Sequence, residues 1–213
     1  MPDGAFDAVR TDRRIHSLLS LARVTNALTL GRWALLAPLK WQSPRLRRER
    51  YAALLYTGAL LHEGLRFAES LARHFKHLPQ FTSGFAPIIA DLSVRKLRKA
   101  YLKPLRNKVA FHFDAVVQES SLPRLRNSEF VFARGRGIAT ADIYFELADD
   151  VVTDYLLGSP STDREFMRRF EEFAVGTSEL YKRFMIAAHR LIPAALKELG
   201  WKRAGRSRSV GAA

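Results

Sequence analysis

The 213-residue chain has no cysteine. That excludes disulfide bridges, thiolate metal ligation and cysteine nucleophiles, and it suits a reducing cytoplasm. Long apolar runs are also missing. The longest, at 33–39 and 51–61, fall well short of the roughly 20 residues a membrane-spanning helix needs. Residues 1–14 carry both charge signs, and no apolar core of signal-peptide type follows them. The expectation is a soluble protein of the cytoplasm, with no membrane partner. Acidic residues are scarce as well: 21 Asp and Glu against 35 Lys and Arg leave a net charge of +14. Such an excess attracts polyanions. Nucleic acid is the first candidate partner, and an anionic membrane surface is the competitor.

What is present is a folding sequence, 47% apolar and 11% aromatic, of a length that suits one domain. Residues 1–12 are expected to be a flexible N-terminus, 13–200 a single helical domain, and 201–213 a basic disordered tail. Asp12 caps a first helix running toward Pro38, with Ile15, Leu18, Leu19 and Ala22 as its apolar stripe. Pro38, Ser43 and Pro44 punctuate a basic connector at 45–50, a run that is usually just the solvated first turn of the next helix. From Tyr51 to Phe75 the apolar positions recur every three and four residues, which predicts an amphipathic helix. Its other face pairs Glu63 with Arg66 and Glu69 with Arg73, a solubilising arrangement. Pro79, Ser83 and Gly84 end it in a loop.

A third helix is expected to start at Pro87 and to carry Arg95, Lys96, Arg98 and Lys99 until Pro104 breaks or kinks it. Residues 118–142 show no sustained period. Arg124, Arg126, Arg134, Gly135, Arg136 and Gly137 make a basic loop there, with a short ribbon at 130–132. From Asp142 a short helix sets Ile143, Leu147 and Val151 against Asp142, Glu146, Asp149 and Asp150. Thr162 and Glu165 form a capping-box pattern opening a long last helix. Phe166, Phe170, Phe173, Leu180, Phe184, Ala187 and Leu191 keep its period up to Pro193, as a bundle strut or a dimer seam.

The chemistry concentrates in Arg106, Asn107, Lys108 and His112. On an ideal helix at about 100° per residue, Leu102, Leu105, Val109 and Val116 form one stripe, with Arg106 and His112 on its two edges about 120° apart. A half-desolvated histidine can trade protons near neutral pH, as phosphodiester cleavage by a 2′-hydroxyl requires. An arginine fork matches phosphate oxygens. One straight helix would hold the two groups too far apart for one phosphate, whereas two copies across a symmetric interface would not. The plainer reading is a packed, hydrogen-bonded histidine and a surface arginine.

Arg106, the polar Asn107 and His112 resemble the R-x4-6-H signature of the HEPN superfamily of small helical proteins. The run Arg-Asn-Lys-Val-Ala-Phe-His-Phe-Asp is similar to its abortive-infection and toxin branch. The resemblance covers about residues 45–195. It implies an all-α, HEPN-like helical bundle with a long C-terminal helix and a basic loop insertion. It implies metal-independent RNA cleavage in a homodimer, leaving 2′,3′-cyclic phosphate and 5′-hydroxyl ends, with neither cofactor nor metal. Arg106 would bind phosphate, His112 act as acid or base, and Asn107 position. Lys108, Arg95, Lys96, Arg98, Lys99, Arg134 and Arg136 are candidate RNA contacts, and Glu63 is a candidate cleft residue. A cognate antitoxin is an implied partner. Some branches keep the fold without catalysis and bind nucleotides, RNA or a partner protein.

Other clusters carry weaker signals. His74 and His77 beside Glu69 have metal-ligand spacing, but histidines near a helix C-terminus also suit the macrodipole. His62-Glu63 lacks the second histidine of a zincin. The acidic set near 142–150 could hold a divalent ion or complement the basic loop.

Overall fold

The computed structural model describes residues 11–32, 44–110, 115–121 and 146–200. All the regular structure among them is helical: α1 (Arg13–Leu28) with a 3-10 turn (Thr29–Gly31), α2 (Pro44–Phe75), α3 (Pro79–Ser83), α4 (Phe85–Ala90), α5 (Leu92–Leu97), α6 (Ala115–Ser121), α7 (Glu146–Leu157) and α8 (Asp163–Glu198). Past α5 the helix continues without interruption through two π-helical stretches, Arg98–Leu102 and Leu105–Ala110. The basic loop with Arg124, Arg126, Arg134 and Arg136, the ribbon at 130–132, Asp142 and Ile143, and the two termini lie outside the described residues.

The Asp12 carboxylate accepts from the Arg14 backbone N–H at 2.8 Å and so caps α1. Its buried stripe is Ile15, Leu18, Leu21, Val24 and Leu28. The expected Leu19 is 53% exposed instead, because the buried positions Leu18, Leu21, Thr25 and Leu28 centre the stripe on one side of Leu18 and Leu19 lies about 100° round on the other. Residues 45–50 are the first turns of α2, the plainer of the two readings, since Pro44 opens the helix.

Along 57–62 α2 is buried on every side. The reason is that α1, the π-helical segment and α8 all pack on it. Two glycines permit the closest approaches: a Cβ on Gly58 would lie 2.8 Å from a Leu105 methyl, and one on Gly64 2.5 Å from the Phe184 ring. Beyond Phe75, where a loop is expected, Pro79 and Phe85 begin two short helices, so Pro87 falls inside α4 rather than at a start. The segment carrying Arg95 starts separately at Leu92, capped by Asp91.

Pro104 neither ends nor restarts the helix. Its ring lacks an N–H and crowds the preceding turn, and the π-helical stretches on both sides of it widen the helix locally. Widened turns carry more residues each, so spacing along the π-helical stretches departs from the ideal projection. Leu102, Leu105 and Val109 are buried as expected, but Val116 is 46% exposed and Val117 is buried in its place. The lack of period expected from residue 118 also gives way, since α6 reaches Ser121.

The last helix is a strut of this chain's own bundle. Phe173, Thr177, Leu180, Tyr181, Phe184, Ala187, Ala188, Leu191 and Ala195 are buried along it, and it touches α1, α2, α3, α4, α5 and α7. It runs through Pro193 to Glu198 instead of ending there. Pro193 lies on the exposed side, where water can satisfy the carbonyl it leaves free. Thr162 Oγ1 accepts from the Glu165 N–H at 3.2 Å, while the Glu165 carboxylate accepts from Ser161 N at 3.1 Å. The capping box is therefore closed one residue earlier than the pattern implies. Among the described residues no helix is long and apolar enough to cross a membrane.

Candidate functional site

The site forms where the middle of α2 faces the π-helical segment. Gly58 allows this approach, and Leu102 and Leu105, both fully buried, seal its base. Glu63 lies on the α2 face that the sequence assigned to solvent, yet its side chain is only 17% exposed. Arg106 Nε donates to Glu63 Oε1 at 2.6 Å, and Arg106 Nη1 donates to Asn107 Oδ1 at 3.2 Å. Arg66 Nη1 reaches the other Glu63 oxygen at 3.1 Å. One carboxylate thus holds two guanidinium groups, and the Arg106 fork retains its Nη2 without a partner among the described residues.

Nearly two turns beyond Glu63 along α2, Glu69 takes a two-point contact from Arg98, with Nη2 to Oε2 at 3.1 Å. The expected Glu69–Arg73 pair is replaced by this one, because the helix carrying Arg98 covers that face of α2. His62 is 7% exposed, and its Nδ1 has no hydrogen-bond partner among the described residues. Burial pushes its pKa down to about 4, and the charge of Arg98 adds to this, as do Arg66 and Arg106, while Glu63 opposes. The imidazole is neutral at pH 7. With it neutral, the three guanidinium groups of Arg66, Arg98 and Arg106 against the two carboxylates of Glu63 and Glu69 leave the site one positive charge.

The structure therefore brings Arg106, Asn107 and Glu63 together, as the sequence suggested. It adds His62, Arg66 and Glu69, which the sequence placed in other roles: His62 in an incomplete zincin pattern, Arg66 and Glu69 in surface pairs, and Glu69 beside two histidines of metal-ligand spacing. The one available signal was a histidine four residues after Gly58 and three before Leu65, on the buried stripe. His112, Arg134 and Arg136 lie outside the described residues. Lys108 is half-buried beside Arg106. Arg95, Lys96 and Lys99 are exposed, and the unmarked Lys103 is exposed with them. Leu105–Ala110 is π-helical, so the regular α-helical projection does not apply over that stretch.

No family model, curated protein or solved structure matches this chain. The chemical reading rests on the arrangement itself. It is a half-buried guanidinium, oriented by a carboxylate and an amide, with one nitrogen unpartnered among the described residues and one positive charge in excess among the groups described. That arrangement can bind and neutralise an oxyanion. π-helical turns recur at functional sites because they displace side chains from regular spacing. His77 bonds to Glu198 at 2.9 Å, tying the end of α2 to the end of α8, while His74 packs edge-on against Phe75. Among the described residues no group of three or more His, Asp or Glu is placed to hold a metal ion.

Proposed function

We propose that the chain is a metal-independent endoribonuclease of HEPN type, working in the cytoplasm as a homodimer. In this reading it is a toxin or phage-defence effector held in check by a cognate antitoxin. The observation that carries the reading is the Arg106 guanidinium, fixed through Nε by Glu63 and through Nη1 by Asn107, in the segment where the R-x4-6-H signature falls. Fixing two of its nitrogens leaves Nη2 to meet a phosphate oxygen with little loss of side-chain freedom.

In the reaction, the 2′-hydroxyl of the RNA attacks the adjacent phosphorus as a neutral His112 takes its proton. The bond from phosphorus to the 5′-oxygen then breaks, and a protonated His112 of the partner subunit supplies the proton to that oxygen. A 2′,3′-cyclic phosphate and a 5′-hydroxyl result. Arg106 stabilises the charge that builds on the non-bridging oxygens, a contribution worth about 3–4 kcal/mol for one such donor.

The second reading is a non-catalytic module that binds RNA, nucleotide or protein. What favours it is that Arg106 is already engaged on two sides, as a fixed binding group would be. Incubation of wild type, Arg106→Ala and His112→Ala with total RNA in EDTA separates the two. Cleavage by wild type, with cyclic-phosphate ends, is expected to fall at least a hundredfold in both variants while circular dichroism stays unchanged. Three folded proteins that are equally active or equally inert would remove the catalytic assignment.

A further inference from the structure

The outer face of α8 carries a pattern that the bundle does not use. Val175 is 54% exposed and Ile186 55%. They stand about three turns apart on one line along the helix, with the exposed Lys182 between them. Met167, also exposed, lies about 80° to one side of that line. The opposite face of α8 packs on α2, where the Phe184 ring meets Gly64. The line is therefore a different surface from the Arg106 site, which α2 and the π-helical stretch build.

Charge is sorted along the same face. In a chain of net charge +14, residues 171–179 hold Glu171, Glu172 and Glu179 and neither Lys nor Arg. Residues 182–190 hold Lys182, Arg183, His189 and Arg190 and neither Asp nor Glu. Glu179 pairs with its own neighbour Lys182 at 2.7 Å, and Arg183 with Asp91 at 2.7 Å. Glu171 and Arg190 are exposed and have no ion pair among the described residues.

We propose that this face binds the same face of a second copy, the two α8 helices running antiparallel about a twofold axis between Leu180 and Tyr181. Val175 then comes level with Ile186 of the partner subunit, and the two exposed apolar side chains cover each other. Glu171 comes level with the partner's Arg190, Glu172 with the partner's His189, and Glu179 with the partner's Lys182. Around the axis, two Glu179 and two Lys182 form a neutral ring of four charges. The other pairings of the same apolar residues fail on charge. An axis at Val175 sets Glu171 against the partner's Glu179. An axis at Ile186 sets Lys182 against the partner's Arg190, and a parallel pair sets every charge level with its own like. From Arg164 to Lys197 the strip is about 50 Å long and 10 Å wide, so two copies bury about 1,000 Å², the lower limit of a specific contact. The homodimer of the ribonuclease reading meets at the Arg106 cleft. The α8 contact is a second, separate one and does not rest on that reading.

The absence of cysteine makes the register testable in the full-length chain, because Val175→Cys and Ile186→Cys each introduce a single thiol. Copper-phenanthroline oxidation of the two variants mixed should give a disulfide-linked dimer in at least tenfold greater yield than oxidation of either alone. Light scattering then tests the charges, with one variant carrying Glu171→Lys and Glu179→Lys and another carrying Lys182→Glu and Arg190→Glu. All four side chains are exposed, so both variants are expected to keep the wild-type circular dichroism. Each alone should fall to half the wild-type mass, and an equal mixture should regain it.

Cross-linking as strong in either cysteine variant alone, or a wild-type mass in both charge variants, would overturn the proposal. So would a wild type that is monomeric at about 100 μM, where a dimer of micromolar Kd is already formed. Mixed cross-links in a chain that never cleaves RNA keep the α8 contact and remove the ribonuclease. RNA cleavage without mixed cross-links does the reverse.

Discussion

At the scale of single residues, the pair Glu63 and Arg106 differs from His62 in what local sequence can reveal. Arg106 is part of a short motif, and Glu63 is a carboxylate on the helix that such a motif would face, so both were legible. His62 was not, because nothing in a run of residues tells a polar group of the buried face from one of the solvent face until the packed neighbour is known. Its burial has a consequence for stability. The imidazole has a pKa of about 4 in the folded chain, against about 6.5 when unfolded. Below pH 6.5 the unfolded chain takes up a proton that the native site refuses, so stability falls as pH drops from 6.5 toward 4. By pH 5 the loss amounts to about 2 kcal/mol. Urea unfolding of wild type and His62→Leu at pH 7 and pH 5 should show that loss in wild type and little of it in the variant, which cannot take up the proton. Equal losses in both would mean that His62 is hydrated and free to protonate.

At the scale of elements, the helix caps were readable because their chemistry closes within four residues. Asp12 bonds to Arg14 and Thr162 bonds to Glu165, as local pattern alone implies. Proline misled for the opposite reason. Pro104 and Pro193 each remove one donor, but whether a helix ends there depends on what packs against it and where water can reach. At Pro104 the helix widens into π turns held against α2, and at Pro193 the exposed side absorbs the loss. The glycines of α2 show the same dependence on packing. Alanine at an exposed helical glycine would gain about 1 kcal/mol. At Gly64 the new methyl would meet Phe184 Cζ at 2.5 Å and Val24 Cγ1 at 3.2 Å, and the Phe184 ring is fully buried with no room to turn aside. Overpacking of this kind costs about 1–3 kcal/mol. Gly64→Ala should therefore lower unfolding stability in urea, and a gain would mean that α2 and α8 approach less closely than the structure has them.

At the scale of the whole molecule, a charge of +14 says that polyanions are attracted but not where. Under the ribonuclease reading, the described residues offer one path. Lys96, Lys99 and Lys103 are exposed on the helical segment that leads to Arg106, and none of them makes an ion pair with the described residues. Lys103 escaped notice because it precedes Pro104, where a helix end was expected. Phosphates that meet these lysines release counterions, so RNA affinity should fall with salt, the logarithmic slope changing by about 0.7 for each phosphate neutralised along a single strand. Replacing all three lysines by glutamine removes up to three contacts and should flatten the slope by about 2, while stability stays within about 0.5 kcal/mol because the groups hold nothing in place. Arg106→Ala should act differently, abolishing cleavage while changing the slope by less than about one unit. Filter binding of a non-cleavable RNA between 50 and 200 mM salt would measure all three proteins. If the triple variant keeps the wild-type slope, the strand approaches by another face, and the path to Arg106 along this helix is not the one the RNA takes.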